Sequence, residues 1–457
     1  VADIDAVFKA YDIRGTVPDQ LDAELVHEVG AAFAAFARDT DGATRILVAR
    51  DARPSGVDLA AAFADGVQRQ GLDVVDLGLG STDLLYYASG SRDAPGAVLT
   101  ASHNPAQYNG IKLCLRGAKP VGMDTGLSDV KAMAAKGVPA ANTEPGSVTE
   151  LDLLQDFADH VRSFIDVDAL GADRRGGTPM KVVADTANGI GGLVVPAVFA
   201  GLPVELDLLF GELDGTFPNH PADPIQPENQ EDLRQRVLET GADVGLAFDG
   251  DADRVFLVDE QAVLVSGSTT TAMVAAGMLE KHPGATILHN LICSKAVPEV
   301  VIERGGTPVR TQVGHSYIKA VMADTGAAFG GEHSGHYYFQ DNYRADSGLI
   351  AAMVVLELMA KAGQPLSELR KPFERYAASG EINTTVADTA AVIEHVAAVY
   401  GDAQQDRLDG LTVDLGDWWF NLRPSNTEPL LRLNLEAADE AACAAHVAEV
   451  QQAMAGA

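Results

Sequence analysis

The sequence predicts an α/β protein built from three related mixed α/β domains and a C-terminal α+β domain, and three observations carry that expectation. An apolar strand, a loop rich in Asp, Asn or Gly, and a helix-like segment follow one another in TRILVARDARPSGVDLAAAFADGV from Thr44, MKVVADTANGIGGLVVPAVF from Met180 and ATILHNLICSKAVPEVVIERGG from Ala285. Such alternation builds layered α/β units. The chain, at 457 residues, is too long for one comfortable core and suits about three or four domains of ordinary size. From about residue 373 the pattern changes to the strand EINTTVAD, the helix TAAVIEHVAAVYG, the strands LTVDL, WWFNL and LLRLNLE, and a closing Ala-rich helix, which together read as α+β with an antiparallel sheet.

The breaks between these units are compositional. The Ala/Gly/Pro stretch KGVPAANTEPGS at 136–147, the neighbourhood of Glu260, and the Gly-Gln-Pro break between Gln364 and Pro372 give domains of 1–147, 148–259, 260–371 and 372–457. In DLAAAFADGVQRQG, Leu59, Ala62, Phe63 and Val67 share one helical face, and Gly71 can end the helix before the strand DVVDLG. The stretch GELDGTFPNHPADPIQPENQ at 211–230 is too rich in Pro and Asp for regular structure and reads as a long ordered loop.

Composition narrows the function. Hydrophobic content of 47% with 21% charged residues is that of a globular chain. A formal charge of −32, from 65 acidic against 33 basic residues, argues against nucleic acid or an anionic membrane as partner. A small phosphorylated ligand stays open, because a phosphate site needs only a few local cations such as Arg14, Lys112, Arg254 and Arg423. Cys114, Cys293 and Cys443 form no C-x-x-C pair, so neither zinc nor a disulfide framework is indicated, and a reducing cytoplasmic setting fits. No run reaches the ~18 apolar residues of a membrane span; the most apolar window, GLIAAMVVLELMA, contains Glu357 and reads as a buried helix. No obligate protein partner is indicated.

Four loops carry the chemistry. In GAVLTASHNP, ending at Pro105, a buried strand stops at a small polar loop that presents Ser102, followed by His103 and Asn104, as a nucleophile would be presented. In DVGLAFDGDADRVFLVDE at 243–260, Asp249, Asp251 and Asp253 alternate with Gly250 and Ala252; on an extended segment they point one way, and mutual repulsion would be relieved by a hard divalent cation, with Mg²⁺ the economical choice. A calcium loop is the rival, but its sixth position carries Arg254 rather than glycine, and its flanks read as strands. GGEHSGHYYF at 330–339 offers Glu332, Ser334 and His336 for binding hydroxyls; His333 and His336 lack the companions of a zinc site. RPSNTEP at 423–429 offers Arg423, Ser425, Asn426 and Thr427 as an oxyanion cradle.

Taken together, FKAYDIRG (8–15), TASHNP (100–105), NGIKL (109–113), DGDADR (249–254), GEHSGH (331–336) and RPSNTEP (423–429) resemble the α-D-phosphohexomutase superfamily, in its phosphomannomutase/phosphoglucomutase branch, over nearly the whole chain. The resemblance implies a heart-shaped arrangement of domains around a central active-site cleft. It implies that Ser102 carries the phosphoryl group and that Asp249, Asp251 and Asp253 bind Mg²⁺ together with the phosphoserine. Glu332 and Ser334 would read sugar hydroxyls, Arg423, Ser425, Asn426 and Thr427 would hold the phosphate that is not reacting, and Tyr11, Arg254, Gly314 and His315 would be further substrate contacts. Arg14, Lys112, His103 and His336 become the candidates for acid/base and electrostatic work around the reacting hydroxyl. One departure is visible in HNLICSK, where Ile292 stands at the apparent place of a lysine found in many relatives and Lys295 follows three residues later.

The expected activity is reversible interconversion of mannose 1-phosphate and mannose 6-phosphate, with a hexose 1,6-bisphosphate as intermediate and catalytic activator. Glucose-specific or dual-specificity mutase and phosphoglucosamine mutase are the alternatives within the family. A metal-dependent phosphatase and a non-catalytic sugar-phosphate binder are those outside it.

Overall fold

The computed structural model describes residues 4–171, 178–424 and 430–456. Residues divide into two compact units, Val1–Ser266 with Ser334–Leu369, and Gly267–His333 with Arg370–Ala457.

The first unit contains two sheets. In one, the parallel strands Asp73–Leu79, Arg45–Arg50 and Gly96–Leu99 lie side by side, and Tyr108–Leu115 turns back antiparallel along Gly96–Leu99 with Ile13–Thr16 beyond it. Val148–Glu150 adds a parallel strand outside Asp73–Leu79, so this sheet continues past the 136–147 stretch. The central strands read as nearly continuous apolar runs because helices cover the sheet. Helix Gly56–Arg69 buries Leu59, Phe63 and Val67, with Ala62 half-buried, as its periodicity predicts. Asp22 caps helix Ala23–Asp41 by accepting from the Leu25 amide, and Gly42 closes it in the left-handed conformation.

The other sheet of this unit runs Leu264–Val265, Val255–Asp259, Val244–Phe248, Met180–Asp185, Val204–Leu209. Val244–Phe248 pairs antiparallel with Val255–Asp259 and parallel with Met180–Asp185, so the DGDADR segment is the hairpin connection at one end of two wholly buried strands. The 211–230 stretch is irregular up to a short 3₁₀ turn at Pro227–Gln230. Helix Gly348–Ala362 is buried along most of its length, Glu357 included, and begins at Ser347, whose hydroxyl accepts from the Ile350 amide. Among the described residues no single helix is long and apolar enough to cross a membrane.

In the second unit, Thr286–Asn290 lies between Thr307–Thr311 and Phe329–Gly331, all parallel, with helices Gly267–Lys281, Ala296–Glu303 and His315–Thr325. The C-terminal part is the antiparallel sheet Ala377–Thr385, Leu430–Ala437, Trp419–Pro424, Leu411–Asp414, Gln404–Asp406 with helices Thr389–Val399 and Glu440–Ala455. Phe420, Leu422, Leu433 and Val396 centre its core.

Candidate active site

The chemistry-bearing residues of the first unit converge on Ser102. Strand Gly96–Leu99 is buried at every position and delivers the chain to Ser102 at φ +50, a left-handed conformation unusual for serine. The Ser102 hydroxyl donates to Asp249 Oδ2 at 2.8 Å, and Arg254 Nη2 lies 3.2 Å from the same hydroxyl. Gly250 permits this meeting: a β-carbon there would lie 2.3 Å from the Ser102 carbonyl oxygen.

The three aspartates come together by a different geometry from the one expected. They do not alternate along an extended strand; residues 249–253 form a turn, with Ala252 at φ +60, and the turn rather than a two-residue period brings their carboxylates together. One oxygen of each lies within 4.8 Å of the others, and all three residues are buried. Lys112 Nζ, from the strand beside Gly96–Leu99, donates to Asp251 Oδ2 at 2.7 Å and Asp253 Oδ2 at 2.6 Å, and the Thr82 hydroxyl donates to Asp251 Oδ2 at 2.5 Å. The other oxygens, Asp251 Oδ1 and Asp253 Oδ1, are buried with no hydrogen bond among the described residues. Buried carboxylate oxygens without donors are costly, and hard oxygen donors in this number suit a divalent cation, so these residues fit one.

Electrostatics in the cluster follow from burial and pairing. Burial raises the Asp249 carboxyl well above the usual range, with Arg254 acting against it. Burial would raise Asp251 too, but Lys112 and the Thr82 hydroxyl hold it low. Burial opposes the charges of Lys112 and Arg254, yet the surrounding aspartates outweigh it and keep both protonated. His103, with its Nδ1 against Arg254 Nη2 and 3.3 Å from the Ser102 hydroxyl, is pushed down to about 2 by burial and by Arg254.

Arg14 donates to Asn104 Oδ1 at 2.5 Å and pairs with Asp12, so YDIRG abuts the Ser102 loop. Tyr11 is half-buried just ahead of the strand Ile13–Thr16. His336 Nδ1 lies 3.1 Å from the Ser334 hydroxyl, its Nε2 lies 3.9 Å from Asp253 Oδ1, and a short bridge pairs His336 with Arg254.

The second unit assembles its own group. Glu332 is buried, and its Oε1 accepts from the Gly314 amide at 3.0 Å and Asn290 Nδ2 at 3.2 Å. The Val313 amide and Arg423 both approach Asp409, the latter at 3.6 Å, and Arg423 also lies 3.8 Å from Glu381. Gly314, Glu332 and Arg423 thus belong to one connected region. Ser425, Asn426 and Thr427 lie outside the described residues, as does the side chain of His315. Lys295 is engaged elsewhere, with Nζ on Asp414 at 2.7 Å and its amide on Glu436 at 2.9 Å.

Sequence reasoning missed Thr82, Asp51 and Arg53. Thr82 carries no motif of its own, and the RDAR run containing Asp51 and Arg53 reads as a plain strand-to-helix turn.

Residues 5–137, 155–262 and 266–376 match phosphoglucomutase/phosphomannomutase alpha/beta/alpha domains I, II and III, and 381–453 matches the C-terminal domain. A phosphomannomutase of Salmonella montevideo is 41% identical over 440 residues, covering 94% of each chain. A Xanthomonas campestris protein described as phosphohexose mutases is 38% identical, covering 95% of this chain and 96% of its own. The crystal structure of a phosphoglucomutase/phosphomannomutase family protein from Burkholderia thailandensis superposes with a TM-score of 0.89 at 32% identity, covering 99% of this chain and 98% of that one.

This is the fold and sequence of a phosphohexomutase, an isomerase that acts by moving a phosphoryl group. The chain belongs to the phosphoglucomutase/phosphomannomutase family.

Proposed function

We propose that this chain is a phosphomannomutase that shuttles a phosphoryl group through Ser102. The observation that carries the reading is the 2.8 Å hydrogen bond from the Ser102 hydroxyl to Asp249 within a turn of three convergent aspartates. The mannose substrate follows the names of relatives such as the phosphomannomutase of Escherichia coli K12, at 39% identity.

In the proposed cycle, O6 of mannose 1-phosphate attacks the phosphorus on Ser102. The O6–P bond forms, the Oγ–P bond breaks, and mannose 1,6-bisphosphate results. The bisphosphate turns over and Ser102 Oγ attacks the 1-phosphate: the Oγ–P bond forms, the O1–P bond breaks, O1 takes the proton earlier removed from O6, and mannose 6-phosphate leaves with the enzyme rephosphorylated.

Asp249, Asp251 and Asp253 would hold Mg²⁺, which supplies charge neutralisation at the phosphoryl oxygens when bound. Arg254 and Lys112 add fixed positive charge, because phosphoryl transfer depends on positioning and charge stabilisation more than on the nucleophile itself. Arg14 acts electrostatically, since a guanidinium stays protonated. His336, about a fifth exposed at its side chain, takes the proton from O6. Gly314, His315, Glu332, Ser334 and Tyr11 are the residues that the family resemblance assigns to sugar binding. Arg423, with Ser425, Asn426 and Thr427, holds the distal phosphate.

A hexose 1,6-bisphosphate is the activator that charges Ser102. The three cysteines are buried and form no disulfide among the described residues, which suits a reducing compartment, and the cytoplasm is the expected location.

Coupled assays with mannose 1-phosphate, glucose 1-phosphate and glucosamine 1-phosphate, each with Mg²⁺ and catalytic bisphosphate, test the reading. It expects the highest kcat/KM for mannose 1-phosphate and no net phosphate release. Preference for glucosamine 1-phosphate, or steady release of inorganic phosphate, contradicts it.

A further inference from the structure

The Ser102 loop is gripped from behind by a guanidinium that the proposed cycle does not use. The Arg53 side chain is 0% exposed and spends all of its donor atoms on this region. Nη2 donates to the carbonyls of Ser102 and Asn104, both at 2.7 Å; Nη1 donates to those of Pro105 at 2.8 Å and Tyr108 at 2.9 Å; Nε donates to Asp51 Oδ2 at 3.1 Å. The Phe217 ring from the 211–230 loop covers the guanidinium, its centre 5.0 Å away.

Asp51 completes a second route to the same serine. Its Oδ1 accepts from the Arg53 amide at 2.9 Å, and its Oδ2 accepts from the Thr100 hydroxyl at 2.7 Å. The Thr100 oxygen in turn accepts from the Ser102 amide at 2.9 Å. Arg53 thus holds the Ser102 carbonyl directly and its N–H through Asp51 and Thr100. Those two groups fix the dihedrals of Ser102, whose φ of +50 is disfavoured for an L residue and needs external restraint. Four carbonyl oxygens gathered on one cation are also four dipoles whose negative ends are neutralised close to the proposed phosphoryl group.

We propose that Arg53 is the positioning residue of the phosphoryl-carrying serine, holding the Ser102 backbone in its left-handed turn so that Oγ stays aligned for transfer. The inference rests on the phosphoserine reading above. Lysine cannot replace the fork, because one ammonium with three donors cannot serve four carbonyls and a carboxylate at once.

The test compares wild type, Arg53→Lys and Thr100→Val, each verified as folded by circular dichroism and thermal unfolding. Labelled phosphate transfer from glucose 1,6-bisphosphate to Ser102 is measured beside kcat, KM and the Mg²⁺ activation constant. Arg53→Lys is expected to lower both the labelling rate and kcat by about 100-fold, as misplacement of a reacting atom by about an ångström does, with KM and Mg²⁺ activation within about twofold of wild type. Thr100→Val, which cuts only the relay to the Ser102 amide, is expected to lose about 10-fold in kcat. Folded Arg53→Lys with wild-type labelling and kcat overturns the inference, as does a loss traced wholly to a smaller folded fraction. Should Arg53→Lys fail to fold, Thr100→Val decides, and wild-type kcat there overturns it. Failure of the wild-type enzyme to take label overturns the phosphoserine reading itself and the inference with it.

Discussion

Ser102 and Asp249, 147 positions apart in the chain, meet in a 2.8 Å hydrogen bond at the point where two strand ends of the first unit come together. The serine arrives from an all-buried strand and the aspartate from the first position after another, so packing of both strands sets the distance between hydroxyl and carboxylate. Ser102→Ala is expected to reduce mutase turnover by about 10³-fold or more while thermal unfolding stays near wild type. Substantial residual kcat in the alanine variant contradicts the assignment.

Gly250 marks the closest approach of the two loops. A β-carbon there would sit 2.3 Å from the Ser102 carbonyl oxygen, and backbone cannot yield as a flexible side chain does. Gly250→Ala is expected to cost about 1–3 kcal/mol of stability and to lower kcat by about 100-fold, read by denaturant unfolding and steady-state kinetics.

Among the described residues Asp251 Oδ1 is buried without a hydrogen-bond donor, while Oδ2 carries Lys112 and Thr82. Asp251→Asn is expected to weaken Mg²⁺ binding by about 10-fold or more, measured by calorimetry on the folded variant. Unaltered affinity removes Asp251 from the proposed metal ligands.

Asp83 supplies a pH signature. Its carboxyl is fully buried, bonded to the Ser81 hydroxyl and, at 2.7 Å, to the Ser347 hydroxyl, and burial raises its pKa from 3.8 to about 7. Between those values the folded state binds a proton that the unfolded state has released, so this group's contribution to stability falls as pH rises from about 4 to 7 and levels off above. Asp83→Asn cannot ionise. The difference in unfolding free energy between variant and wild type should therefore shift in favour of the variant across that window, and a constant difference contradicts the account.

Much of this architecture was legible in the residues. The repeated strand, loop and helix pattern predicted the mixed sheets, and the different order of elements after residue 373, several strands with two helices, predicted the antiparallel one, because each order leaves few ways to bury the apolar faces. The DGDADR trio was legible as residues but not as geometry: strand alternation suggested an extended arrangement, whereas Gly250 and the positive φ of Ala252 build a turn. Arg53 was illegible for a deeper reason. Its partners are backbone carbonyls from residues 49 to 55 positions away, and carbonyls leave no mark in side-chain pattern. Asp83 was hidden likewise, since its partner Ser347 lies 264 positions along the chain.

Arg423, about one-seventh exposed at its side chain, lies within 3.6 Å of Asp409 and 3.8 Å of Glu381, a guanidinium held by longer ion pairs from which a phosphate can draw it. Arg423→Ala is expected to raise KM for hexose 1-phosphate by about 10- to 100-fold, in line with loss of one charge-assisted contact, with a smaller effect on kcat. A fall in kcat at unchanged KM contradicts its role in holding the distal phosphate.

The central claim is that Ser102 stores the migrating phosphoryl group. Wild-type enzyme charged with labelled glucose 1,6-bisphosphate and Mg²⁺ should yield one labelled peptide, that of Ser102, and unlabelled mannose 1-phosphate should chase the label into hexose phosphate at the rate of turnover. Label absent from Ser102, or fixed there through many turnovers, contradicts the account.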